Sequence, residues 1–181
     1  MSRRTLPLLA ILVLAPHACH DAPTRNTDAA TRAALAGVWT VTQVDTQTVA
    51  PFVTHCAVAR PSGNHVVSEL LAESLALDTS GAARRHVATR MSEYQGTVLV
   101  DGPTVFEFQS VGSFAPTMAV VLDARDSAVA LSLHAPPGEN TGTYTMYLAR
   151  TDSALLYRYP MQDSCSLGLI GGDRVAHFTR R

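Results

Sequence analysis

Lysine is missing from this chain; all 14 basic residues are arginine. That removes the S-x-x-K pairing of lysine-assisted serine nucleophiles, and no G-x-S-x-G elbow takes its place. Charge is sparse, at 16% of residues, with a formal net charge of −1. Without Arg3 and Arg4 the balance is 12 arginines against 15 acidic residues, or −3. Such a domain lacks the positive charge from which nucleic-acid affinity mainly comes. No apolar run reaches the roughly 20 residues of a membrane-spanning helix. Seven histidines are present, yet none stands in H-x-H or H-x3-H spacing, and no C-x2-C occurs. The local ligand clusters of a zinc site are therefore missing. Nothing here names a catalytic residue, a metal ligand or a cofactor, and the expectation is a non-enzymatic protein.

What is present begins with a leader. Met1–Arg4 is a short basic start and Leu6–Ala15 (LPLLAILVLA) a ten-residue apolar run, the form of a signal peptide over residues 1–18. Ala18 followed by Cys19 resembles the cleavage and lipidation site of bacterial lipoproteins. Simple secretion, with Cys19 incidental, is the alternative. The expected location is the bacterial cell envelope, anchored by lipid on the periplasmic side of a membrane, or the medium. With Cys19 lipidated, Cys56 and Cys165 remain in an oxidising compartment, where thiols pair. Their bridge closes a loop of about 110 residues, worth about 4–5 kcal/mol in the chain-entropy model. It requires the two ends of the fold to be neighbours; two buried free thiols are the alternative. Residues 19–36 read as a tether and a short helix, Asp28–Ala36, capped by Asp28 and ended by Gly37.

From residue 37 to 181 the chain alternates β-type residues with turn signals. Taking Asp78–Gly81 as a four-residue turn sets Leu77 against Ala82, Leu75 against Arg84, Glu73 against His86 and Glu69 against Arg90. A helix through Val67–Leu75, with apolar positions at 67, 70, 71 and 75, is the rival. Taking Ala124–Ser127 as a second turn puts Met118, Val120, Leu122, Val129, Leu131 and Leu133 on one buried face. A third hairpin joins 142–148 to Ala154–Tyr159 and holds four of the five tyrosines. Short strands over 97–100 and 104–111 and a last strand, Arg174–Thr179, bring the count to nine or ten. Short antiparallel strands in succession shed their sticky edges by closing into a barrel.

Gly37-Val38-Trp39, opening the first strand after a short helix, resembles the G-x-W phrase of lipocalins. The phrase from Leu35 to Pro51 is similar to lipocalin-like domains of bacterial lipoproteins. The resemblance implies an all-β, antiparallel up-and-down barrel of 8–10 strands with a short N-terminal helix. It implies that Trp39, the only tryptophan, closes one end, with Arg174 or Arg180 packed on it. It also implies a cavity that binds a small hydrophobic or amphipathic ligand. The expected lining is Trp39, Met118, Val120, Leu122, Val129, Leu131, Leu133 and Tyr144. Small barrels are also found filled by their own side chains. The second reading is a solid barrel that binds an envelope protein through an apolar patch, around Phe114–Met118 or the tyrosine hairpin. Arg84, His86 and Arg90 share one face, with Arg85 on the other. Glu69, Glu73 and Glu107 are expected on a solvated outer face.

Overall fold

The computed structural model describes residues 24–45, 47–48, 52–58, 61–134, 142–159 and 173–181. The expectations for the leader, Cys19 and Cys165 lie outside these residues. One helix, α1 (Thr24–Leu35), precedes ten strands: β1 (Gly37–Val44), β2 (Gln47–Thr48), β3 (Phe52–Val58), β4 (His65–Leu77), β5 (Ala82–Gln95), β6 (Val98–Val121), β7 (Ala124–His134), β8 (Thr143–Arg150), β9 (Ala154–Tyr159) and β10 (Arg174–Arg180). Eight of them close on themselves in the order β1-β10-β9-β8-β7-β6-β5-β4, all antiparallel, because β1 also pairs with the end of β4. The result is a closed up-and-down barrel, consistent with a lipocalin-like fold. The edge of β4 is shared: β3 takes His65–Leu70 and β1 takes Ser74–Leu77.

The helix rival for Val67–Leu75 has a structural explanation. β4 carries a bulge at Leu71, between the pairs Leu70–Thr89 and Ala72–Ala88. A bulge inserts one residue and shifts which parity faces inward. Val67 and Leu70 are buried before it, and Glu73, Leu75 and Leu77 after it. The three-residue step from Leu70 to Glu73 is thus one bulge in a strand, whereas Val67 lies on the other face, buried against Cys56 of β3.

The first two hairpins depart from the expected register. Gly81 donates its N–H to Asp78 and Asp78 donates to Ala82, so the loop is one residue longer. Leu77 faces Ala83, Leu75 faces Arg85 and Glu73 faces Val87, while the bulge restores Glu69 opposite Arg90. In the second hairpin Val121 pairs directly with Ala124 across Leu122 and Asp123, whose φ values are 52° and 66°. A two-residue turn with both φ positive matches strand twist better than the expected loop over Ala124–Ser127. Leu131 then faces Phe114, and Leu133 faces Gly112. A Cβ on Gly112 would sit 1.9 Å from the Ser132 carbonyl oxygen, so the close approach of β6 and β7 requires glycine there. The third hairpin, β8–β9, turns at Thr151-Asp152-Ser153, within the expected link over 149–153, of which Ala149 and Arg150 are still strand. The two short strands expected over 97–111 are one continuous piece of β6.

The floor of the barrel forms where α1 meets β1. Trp39 is buried in one cluster with Leu35, Leu75, Leu77, Phe114 and Phe178. Its indole N–H donates to the Leu35 carbonyl at 2.8 Å, tying the floor to the last turn of the helix. Arg180, opposite Trp39 on β10, donates to the carbonyls of Ala34 and Ala36. Its guanidinium lies 2.7 Å from where a Cβ on Gly37 would be, and Gly37 has φ +142°. Glycine opens the G-x-W phrase because the arginine occupies that space. Arg174 bonds Asp45 at 3.1 Å at the other end of β10.

Candidate functional site: a charged pair in the barrel lumen

Alternation along each strand sends one residue in two into the lumen. In the same cluster as the floor, Val129, Leu131 and Leu133 of β7 and Leu148 of β8 are fully buried, with Met146 nearly so. Three of the expected lining residues, Val129, Leu131 and Leu133, are therefore inside, as is Trp39. Met118, Val120 and Leu122 are not. Met118 and Val120 lie opposite Ser127 and Arg125 at the hairpin tip and are 57% and 76% exposed. Leu122 sits in the turn and packs on a small cluster of Val121, Ala128 and Ala149. The shorter turn carried these three past the floor. Phe114, expected in an exposed patch, is buried in the main cluster.

The lumen is not apolar throughout. About 13 Å up β4 from Leu77, four residues at roughly 3.3 Å each, Glu73 points inward. Its side chain has no exposed surface, which corrects the expectation of a solvated face. Arg85 on β5, the diagonal neighbour across the strand pair, points inward beside it. The Arg85 Nε–H donates to Glu73 Oε1 at 2.6 Å. Nη1 donates to the Tyr144 hydroxyl at 3.2 Å, and that hydroxyl donates to Ser110 Oγ at 3.1 Å. The Arg85 guanidinium also lies 6.0 Å from the Tyr144 ring centroid. Tyr144, the last expected lining residue, is therefore the polar member of the group. Tyr157 completes it, packed edge-on against Tyr159 at 4.8 Å.

Burial pushes the Glu73 carboxyl above its ordinary value, against the pull of Arg85. Burial draws Arg85 down, but the Glu73 carboxylate and the Tyr144 hydroxyl outweigh it and hold the guanidinium above its ordinary value. Burial also raises the Tyr157 hydroxyl, with Arg85 opposing. The second carboxylate oxygen, Glu73 Oε2, is buried and accepts no hydrogen bond. Such an oxygen normally has a partner.

Sequence reasoning missed this pair, although one signal was there. Alternation places Arg85 on the face opposite Arg84, His86 and Arg90, and a buried arginine demands a buried acceptor. Glu73 is that acceptor. On the outer wall His86 meets Glu107 at 3.4 Å instead of Glu73, and Arg90 forks onto Glu69 at 2.8 and 3.1 Å. The outer basic cluster is thus partly neutralised by acids.

Two grooves on the described surface lie outside the lumen. One of about 180 Å³ lies on the upper sheet by Met91 and Phe106, below the roughly 300 Å³ of ordinary ligand sites. Another of about 480 Å³ lies open on the outer wall by Val38, Ala76 and Val111. Neither reaches the charged pair. Among the described residues, no three His, Cys, Asp or Glu side chains are grouped to hold a metal ion. Cys56 is fully buried on β3 beside Val67. No family model matches the chain, and no curated protein or solved structure matches it either.

Proposed function

We propose that this is an exported, lipid-anchored barrel that carries a small amphipathic molecule in its lumen and catalyses no reaction. The observation that carries the reading is the Glu73–Arg85 pair, set above an apolar floor and below the barrel rim. A buried ion pair is weak support for stability, since well-packed apolar residues of similar volume often do as well or better. A lumen that is apolar in one layer and charged in the next suits a ligand with a tail and a head. The two ionisable groups bind each other, which favours holding a ligand over reacting with it.

The anchor at Cys19 and the Cys56–Cys165 bridge belong to the same reading. β9 ends, and β10 begins, at the same end of the barrel as β3, which supports a bridge closing that end. Native mass spectrometry of protein purified from its own host tests the carriage reading. A bound lipid or metabolite, released on denaturation, is the expected result; a clean unliganded mass overturns it.

The second reading, an envelope protein that docks on a partner, has one observation in its favour. Val98, Leu99, Val100, Val105 and Phe106 on the upper arm of β6 are all exposed. Exposed apolar groups gathered on one element mark interaction surfaces. Co-purification of a partner that is lost on Val100→Lys would favour it over carriage.

A further inference from the structure

The carriage reading leaves the ligand's chemistry open, but the charged pair narrows it. We infer that Glu73 and Arg85 together form a head-group site for a neutral, hydroxyl-bearing amphiphile, whose hydroxyl donates to Glu73 Oε2 and accepts from Arg85. This rests on the carriage reading and goes one step past it.

Guanidinium has five N–H groups. Arg85 spends one on Glu73 and one on Tyr144, which leaves three without a described acceptor. Beside them, Glu73 Oε2 is a buried acceptor without a donor. The two carboxylate oxygens are not both engaged by the guanidinium, as they would be in a forked pair. A gap between an acceptor and a donor is filled by a group that does both, and a hydroxyl does. An anionic head would face the Glu73 carboxylate, and a cationic head would face Arg85. The pair neutralises itself and so favours neither charge. A hydroxyl also serves either protonation state of Glu73, because it donates to the carboxylate and accepts from the acid.

The same geometry orients the ligand. Below the pair, Leu75 and Leu133 are fully buried and fill the lumen. Above it, Val87 faces Glu73 and Phe108 faces Val87, so both point inward, and both are only partly buried. Arg85 keeps 18% of its side chain accessible, whereas Glu73 keeps none. The proposed approach to the pair is from the rim side, past the partly buried Val87 and Phe108. The hydroxyl goes in first and the tail lies along Val87, Phe108 and Tyr157.

Titration calorimetry of the purified full chain with 1-decanol, decanoate and decylammonium tests this. The unaltered protein should bind 1-decanol at least tenfold more tightly than either ion. Glu73→Gln, which removes the carboxylate beside Arg85, should improve decanoate at least tenfold. Folding of that variant is checked by circular dichroism. The double variant Glu73→Leu with Arg85→Met replaces the pair by apolar side chains of similar size, and should bind all three within about threefold. If decanoate is preferred by the unaltered protein, or if the double variant keeps the alcohol preference, the head-group assignment is wrong while carriage stands. If the unaltered protein binds none of the three, the carriage reading falls and this one with it.

Discussion

At the scale of single residues, Glu73 is the most informative position. Its carboxyl is raised by burial in the folded state and ordinary in the unfolded one. The folded protein therefore holds the proton more tightly. Stability associated with the protonated acid is fully present below about pH 4.5 and is lost as pH rises through the folded-state value. Against Glu73→Gln, which cannot ionise, the unaltered protein should lose relative stability as pH climbs from 4 to 7, measured by urea denaturation at each pH. A gap that is flat, or that grows in favour of the unaltered protein, would contradict the burial argument. Gly37 gives a second test. Alanine there puts a Cβ where the Arg180 guanidinium lies, at a positive φ, and should cost about 1–3 kcal/mol. The midpoint of urea unfolding would show it. Both positions were half legible in the sequence. The G-x-W phrase pointed to Trp39, but the reason for its glycine lies in an arginine more than 140 residues away. Arg85 was visible as the odd basic residue on the inner face. Glu73 was hidden although plain alternation puts it on the face of Leu75 and Leu77: the expected four-residue turn set it against His86, an outer-wall residue, whereas the longer loop sets it against Val87.

The elements tell a similar story about register. Strand identity was readable from alternation, and β1, β7, β8, β9 and β10 lie where the apolar pattern puts them. Register was not, because it depends on how many residues each turn consumes. The β6–β7 turn uses Leu122, a residue that rarely takes positive φ. Part of what holds it is long-range: Asp123 forks onto Arg158 of β9 at 2.8 and 3.2 Å. No turn propensity encodes such a partner, so the polar Ala124–Ser127 segment was the natural but mistaken choice. β6 carries a further consequence of its length. Its lower part lies between β5 and β7, whereas Val98–Ser110 pairs only with β5 among the described residues. Few buried contacts support that arm. Amide hydrogen exchange should be faster over Val98–Phe106 than over Ser110–Phe114 of the same strand. Uniform protection along all of β6 would mean that the arm is covered in solution, which favours the docking reading.

For the whole molecule the deciding event is closure. β1 must find β10 and the end of β4 together, and β10 is separated from both by most of the chain. Bringing such distant segments together is entropically slow and costly. The proposed Cys56–Cys165 bridge bears on that step, because it joins the β3 extension beside β4 to the segment leading into β10. Crosslinking about 110 residues stabilises by up to about 4–5 kcal/mol, less any strain in the folded state. For a chain of this size each kcal/mol moves the melting temperature by about 2–4 °C. Reduction with dithiothreitol, or Cys165→Ser, should therefore lower it by up to about 8–20 °C. On the proposed reading, Cys19→Ser should leave the melting temperature of the detergent-solubilised protein unchanged. Equal effects of Cys19→Ser and Cys165→Ser would place the bridge elsewhere. An unchanged melting temperature on reduction would leave closure to side chains alone: the Trp39 floor, the Arg180 contacts to the helix carbonyls and the packed layer above them.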